Sequence, residues 1–131
     1  MNLTYHSKNK LMQTFATWDV PKDFAKPFYN YLVYGWTPGS CFTSVLANDF
    51  LGAIFRSHPG NTIEAFKALA GWMTDTIPRQ AQGSYGAVED WIKLDDDERR
   101  TILEKHDLIY TTDNESWMIL KDEPVKEVIL Y

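Results

Sequence analysis

With 131 residues, 44% hydrophobic and 24% charged, the chain has the size and balance of one globular domain rather than two. Its apolar runs stop well short of the roughly 18 residues a membrane span needs, and Met1 to Lys10 lack a signal peptide's apolar region. Cys41 is the sole cysteine, which excludes an internal disulfide framework and points to a reducing compartment. His6, His58 and His106 are scattered, so no metal or cofactor is expected.

The net charge of −5 is unevenly spread. Residues 1–88 carry seven Lys/Arg against five acids, whereas residues 89–131 carry six against thirteen. An acidic end repels nucleic acid and attracts basic protein surfaces. The same composition also serves a plain solvated face.

In chain order, residues 1–18 are ambiguous: Leu11, Phe15 and Trp18 have helical spacing, but the Thr-rich flanks permit a strand. Pro21 and Pro27 both suit a first helical turn. The spacing of Phe28, Tyr31, Leu32 and Tyr34 then predicts a helix over 27–34, ended by Gly35. Trp36 to Gly39 form a turn, and Ser40 caps a long helix over 40–56. His58-Pro59-Gly60 breaks the chain. Asn61, with Glu64 three residues on, starts a helix over 62–75 that buries Ile63, Phe66, Leu69, Ala70 and Met73. Residues 78–84 are a joint.

Two shorter helices follow, over 85–93 with Val88, Trp91 and Ile92, and over 96–105 with Asp95 and Glu98 at its start. Leu108–Thr112 and Trp117–Leu120 flank Asp113-Asn114 as a β-hairpin, and Val125–Tyr131 supplies a third strand. The expected fold is therefore α+β and α-dominant, a helical core with a small C-terminal antiparallel sheet. It reads as one domain, with 1–92 as core and 93–131 as an acidic helix plus hairpin extension.

One helix breaks its own pattern. At 100° per residue, Phe42, Val45, Leu46 and Ala53 share a face of the 40–56 helix, and Asp49 falls in its middle with Arg56 two turns on. A carboxylate there is costly unless paired. Asp49 can cap a neighbouring helix or brace the Trp36–Ser40 turn, line a ligand cavity with Arg56, or act as an acid or base. No second carboxylate or histidine is spaced to help it in the last role. Gly39 and Ser40 offer free N–H groups at the helix start, where a phosphate or carboxylate can sit. With Asn48, Asp49 and Arg56 they form the candidate ligand site. Cys41, near the same start, has either a lowered pKa or a structural, buried role.

The acidic run Asp95-Asp96-Asp97-Glu98 lacks the spaced ligands of a calcium loop and reads as a charged helix start. A helix opening with four acids argues against DNA binding. With Trp117 and Tyr131 as aromatic anchors, Asp95, Asp96, Asp97 and Glu98 form the candidate partner-binding surface. The five dispersed tryptophans fit a core better than a base-stacking platform.

Pro27, Tyr31, Gly35, the run Pro38-Gly39-Ser40-Cys41-Phe42-Thr43-Ser44-Val45-Leu46-Ala47-Asn48-Asp49, then Ala53, Arg56, Asn61, Trp72, Pro78, Gly83-Ser84 and Trp91 resemble a family of small tailed-bacteriophage accessory proteins. The family pattern has a Pro-Gly turn, a helix reading Phe-x-x-x-Val-Leu-x-Asn-Asp, and a later Gly-Ser before a tryptophan. The resemblance covers about residues 20–92. It departs at Ser57-His58 and over the acidic C-terminal forty residues, which look like an addition. It implies a protein of the infected bacterium's cytoplasm and carries no chemistry of its own.

Two functions are expected from these features. One is a non-catalytic inhibitor that binds a host protein, such as a defence protein, through its acidic end. The other is a small-ligand binder, for instance a sponge for a nucleotide signal, with its site completed across a homo-oligomer interface. No membrane partner is expected.

Overall fold

The computed structural model describes residues 1–111. Seven α-helices follow one another: α1 (Tyr5–Thr17), α2 (Lys22–Tyr34), α3 (Ser40–Leu46), α4 (Phe50–Arg56), α5 (Ile63–Thr76), α6 (Tyr85–Lys93) and α7 (Asp96–Lys105), with a 3-10 turn at Arg79–Ala81 before α6. The expected α+β class is corrected by this arrangement, because the described residues contain helices and no β-strand.

The sheet expectation fails first in the run expected as Leu108–Thr112, of which residues 108–111 are described. Leu108 and Ile109 are buried, as a strand's apolar residues are, but they plug the helical core instead. Asp107 adopts a left-handed conformation (φ 58°), and the Leu108 N–H donates to the Leu103 carbonyl, folding the run back over α7. The Tyr110 N–H then donates to Ser7 Oγ of α1 at 3.0 Å rather than to a strand. The expected strands at Trp117–Leu120 and Val125–Tyr131 lie outside the described residues.

The helix ends share one device. After α1, the Asp19 N–H donates to the Ala16 carbonyl and the Val20 N–H to the Phe15 carbonyl. The same pair of bonds closes α3 at Asn48 and Asp49, and α7 at Asp107 and Leu108. Each is a Schellman closure with its pivot at positive φ, at Asp19, Asn48 and Asp107, the non-glycine types that best tolerate it. Val20 and Phe15, and Leu108 and Leu103, stand where such closures place an apolar contact, and all four are buried in the core.

Helix α2 is the centre. Eight of its residues are buried, among them Phe24, Phe28, Tyr29, Tyr31 and Leu32, so it is apolar nearly all round. It begins at Lys22 rather than at Pro27, which lies inside it. Pro27 forfeits a backbone bond there, a cost offset by the burial of Phe24, Ala25 and Phe28 around it. Trp72 of α5 stacks on Phe15 at 4.3 Å and meets Phe28 edge-on at 5.4 Å. Its indole N–H donates to Thr14 Oγ1 at 2.8 Å. The Trp91 indole likewise donates to the Tyr31 carbonyl at 3.0 Å, tying α6 to α2. The Tyr31 hydroxyl donates to the Ala81 carbonyl at 2.7 Å, and burial pushes its pKa well above the ordinary tyrosine value.

Helix α7 is fastened to α2 by a buried arginine. Arg99 Nε donates to the Val33 carbonyl at 3.2 Å, one Nη to the Leu94 carbonyl, and the other to Asp96. Asp96 also meets the Met1 amine at 2.9 Å. Leu103, one turn on, is fully buried. Arg99→Met keeps much of the stem's volume but leaves two carbonyls without a donor, and should cost about 2–4 kcal/mol in urea unfolding. Asp96→Asn should cost clearly less, since its carboxylate is largely exposed. Equal losses would show that the ion pair, not the carbonyl bonds, fastens α7.

Candidate functional site

The predicted 40–56 helix is two helices. Leu46 ends α3, Asn48 turns the chain through φ 61°, and Asp49 starts α4 as its N-cap, accepting from the Gly52 N–H at 2.9 Å. The periodicity runs through the break because both halves are apolar. The overriding signal is local: Asn at a left-handed pivot followed by Asp at a cap. Of the readings open to Asp49, the structure shows helix capping, of the helix that follows it. Asp49 also takes a part in a larger polar ring.

Tyr85, the first residue of α6, donates its hydroxyl to Asp49 Oδ2 at 2.5 Å. Arg56 Nη1 lies 3.8 Å from the same oxygen and donates to Ser44 Oγ at 2.9 Å. Ser44 in turn donates to the Ser40 carbonyl at 3.1 Å, and its Oγ lies 3.0 Å from the Tyr85 oxygen. Four side chains from α3, the elbow, α4 and α6 thus close a ring. Tyr85 above all, then the Gly52 N–H and Arg56, hold the Asp49 carboxyl below the usual carboxylate range.

Gly52 makes the ring possible. Asp49, Gly52 and Arg56 fall along one stripe of α4, and a Cβ at position 52 would stand 2.2 Å from Asp49 Oδ2 and 2.4 Å from Arg56 Nη1. The arginine reaches back across the space a side chain would fill.

Beside the ring runs a groove of about 500 Å³ between α4 and α5, lined by Asn48, Asp49, Phe50, Ile54, Ile63 and Phe66 among others. Its lining is mainly apolar. Around it stand large apolar side chains facing solvent: Phe50 is 74% exposed, Leu51 77%, Ile54 48%, Phe55 86% and Ile63 75%. Within α4 only Ala53 is buried.

The expected ligand residues are therefore divided. Asn48 and Asp49 line the groove, and Arg56 joins Asp49 through the ring. Gly39 and Ser40 do not line it: Gly39 is the N-cap of α3 at φ 93°, and the Ser40 carbonyl is occupied by Ser44. Cys41 donates to the Ala53 carbonyl at 3.4 Å, and burial raises its thiol pKa, the reverse of an activated cysteine. Ser44 and Tyr85 are the residues that sequence reasoning missed. Ser44 reads as a solvent-facing serine, and Tyr85 lies 36 positions from Asp49 with no local signal joining them.

The acidic run is largely engaged at home. Asp95 and Glu98 form a reciprocal capping box at the start of α7, with the Glu98 N–H donating to Asp95 at 2.8 Å. Asp96 is bound by the Met1 amine and Arg99. Asp97 is exposed, and Trp117 and Tyr131 lie outside the described residues. No His/Cys/Asp/Glu group able to hold a metal ion occurs among the described residues, and no described helix is long and apolar enough to cross a membrane. Compared with protein-family models, curated proteins and solved structures, the chain matches none.

Two outcomes test the ring. Gly52→Ala should lower the melting temperature even though Ala is the better helix former by about 1 kcal/mol, because the new methyl displaces the cap and the arginine. A rise would show that the ring imposes no constraint. Acid supplies the second test. Asp49 and Asp96, the latter held down chiefly by the Met1 amine, have folded pKa values below their unfolded ones. Their contribution is complete above the ordinary aspartate pKa of about 3.9 and is lost as pH falls through the lower folded values. A stability–pH curve should drop there, and the drop should shrink in Asp49→Asn; an unchanged acid limb would remove Asp49 from the account.

Proposed function

We propose that this protein acts by contact rather than catalysis, as a phage accessory protein that binds and inhibits a host protein in the infected cell's cytoplasm. The observation that supports the reading is the apolar surface of α4 and the head of α5. Four large side chains of α4 and Ile63 of α5 stand open beside a groove, and α4 gives its own core only Ala53. Exposed apolar patches of this size mark sites for protein, membrane or ligand contact, and this one extends beyond the groove onto Leu51 and Phe55, as a protein contact would use it.

The host-facing side is assigned to the acidic end. Residues 89–111 carry eight acids against four Lys/Arg, and one of those four, Arg99, is buried. Glu89, Asp90 and Asp97 are exposed on α6 and α7, where they can steer a basic partner toward the protein. Asp95, Asp96 and Glu98 contribute field there while their bonds hold α7. The small-ligand reading rests on one observation, the Asn48 and Asp49 side chains lining an apolar groove large enough for a small molecule.

Tagged full-length protein recovered from infected cells and analysed by native mass spectrometry separates the two. The contact reading expects a host polypeptide, inhibited by the purified chain, whose association weakens with salt. Charge reversal at Glu89, Asp90 and Asp97 should leave folding intact and slow that association at least tenfold. Retention of a small molecule in place of a polypeptide would favour the groove as a ligand site.

A further inference from the structure

We propose that the apolar face of α4 is covered by a second copy of this chain, packed antiparallel across a two-fold axis. The inference rests on the reading above that this face is made for protein contact, and names what covers it. Three features of the surface point to self-association.

The first is area. Taking about 200 Å² for a large apolar residue in the open, the exposed parts of Phe50, Leu51, Ile54, Phe55 and Ile63 come to roughly 700 Å². That exceeds the roughly 300–600 Å² of the largest patch on an ordinary monomer. Two such faces together bury about 1,400 Å², within the roughly 1,200–2,000 Å² of a standard stable interface.

The second is the distribution of charge. Between Asp49 and Arg56 the helix carries no ionisable side chain, so the α4 part of the face holds nothing that a second copy would repel, and the charges nearest it on α5 are of opposite sign, Glu64 and Lys67. A two-fold contact is isologous, with the same patch meeting itself. Antiparallel packing sets the helix dipoles in opposition, while Asp49 and Arg56 stay turned into the ring, off the contact. Both side chains remain partly exposed after closing the ring. Parallel packing would align the two dipoles instead.

The third is continuity with the groove. Phe50, Ile54 and Ile63 belong to the exposed face and to the groove lining alike. A copy seated on α4 therefore roofs the groove as well, so that Asn48 and Asp49 face a chamber between two chains instead of open water. The acidic α6 and α7 are left for the host.

Sedimentation velocity on the full chain tests this directly. Wild type should sediment at twice the chain mass at high concentration and dissociate on dilution, with a melting temperature that rises with concentration. Phe55→Asp, at the most exposed position, should retain the helical circular dichroism and sediment as a monomer. Should that variant fail to fold, Leu51→Asp, also on the open face, takes its place. A wild type monomeric at every concentration up to its solubility limit overturns the self-contact, as does a dimer that survives in folded Phe55→Asp. In the monomeric case, capture of the host polypeptide tells which reading failed. Capture lost in Phe55→Asp leaves protein contact standing with the host on α4, whereas capture unchanged removes α4 from protein contact altogether.

Discussion

The C-terminal end of α2 is the fixed point of this protein. Four carbonyl-directed bonds converge on it. The Gly35 N–H and the Trp91 indole both donate to the Tyr31 carbonyl, the Trp36 N–H to that of Asn30, and Arg99 to that of Val33. Helix ends leave carbonyls without partners, and a buried end must find them elsewhere. Here α6 and α7 provide them, so both helices are attached where α2 needs donors most. Gly35 is required at this junction, because its φ is 68° and a Cβ would stand 2.8 Å from the Arg99 guanidinium. Arg99 is desolvated to do this, and a buried arginine is tolerable because each of its donor nitrogens has a named acceptor.

Where local chemistry spoke, the helices were legible in the sequence. The helices at 85–93 and 96–105 fall where they were expected, because Ser84 and Asp95 are strong caps and their apolar residues recur at helical spacing. At α5 the cap is Thr62, one residue beyond Asn61. Two kinds of feature were not legible. One is a break hidden inside an apolar pattern, as at Ala47-Asn48-Asp49, where period alone carries the eye through. The other is an apolar β-rich run such as Leu108-Ile109, whose composition suits a strand and a core plug equally. Its choice depends on Asp107 pivoting the chain back onto Leu103, which is a property of the helix end before it.

The candidate site was legible in its anchor and illegible in its closure. A lone aspartate on an apolar face announces a partner without naming one. The break that makes Asp49 a cap also turns it toward α6, and Tyr85 meets it there from far along the chain. Gly39 and Ser40 seemed to belong because a continuous helix would have put them on the same element. With the helix broken, Gly39 is the N-cap of α3 and Ser40 its first residue, a helix away from the groove.

The same break explains why α4 faces outward. A seven-residue helix is too short to hold itself, since nucleation is costly and few bonds repay it. Burial of Ala53 adds little, so α4 is held by its packing on α3 and by its ends: the Asp49 cap at one and the Arg56 bonds to Ser44 and Asp49 at the other. The polar ring thus serves as the foundation of an apolar surface. Its position settles which side chains that surface presents, because Gly52 and Arg56 face the ring while Phe50, Leu51, Ile54 and Phe55 fall outside it. Anything that covers the apolar face stabilises α4 and, through its two ends, the ring. Conversely, a ring that opens releases the register of the face. A partner seated on α4 would therefore be felt at Asp49, because one short helix carries the apolar face on one side and the ring on the other.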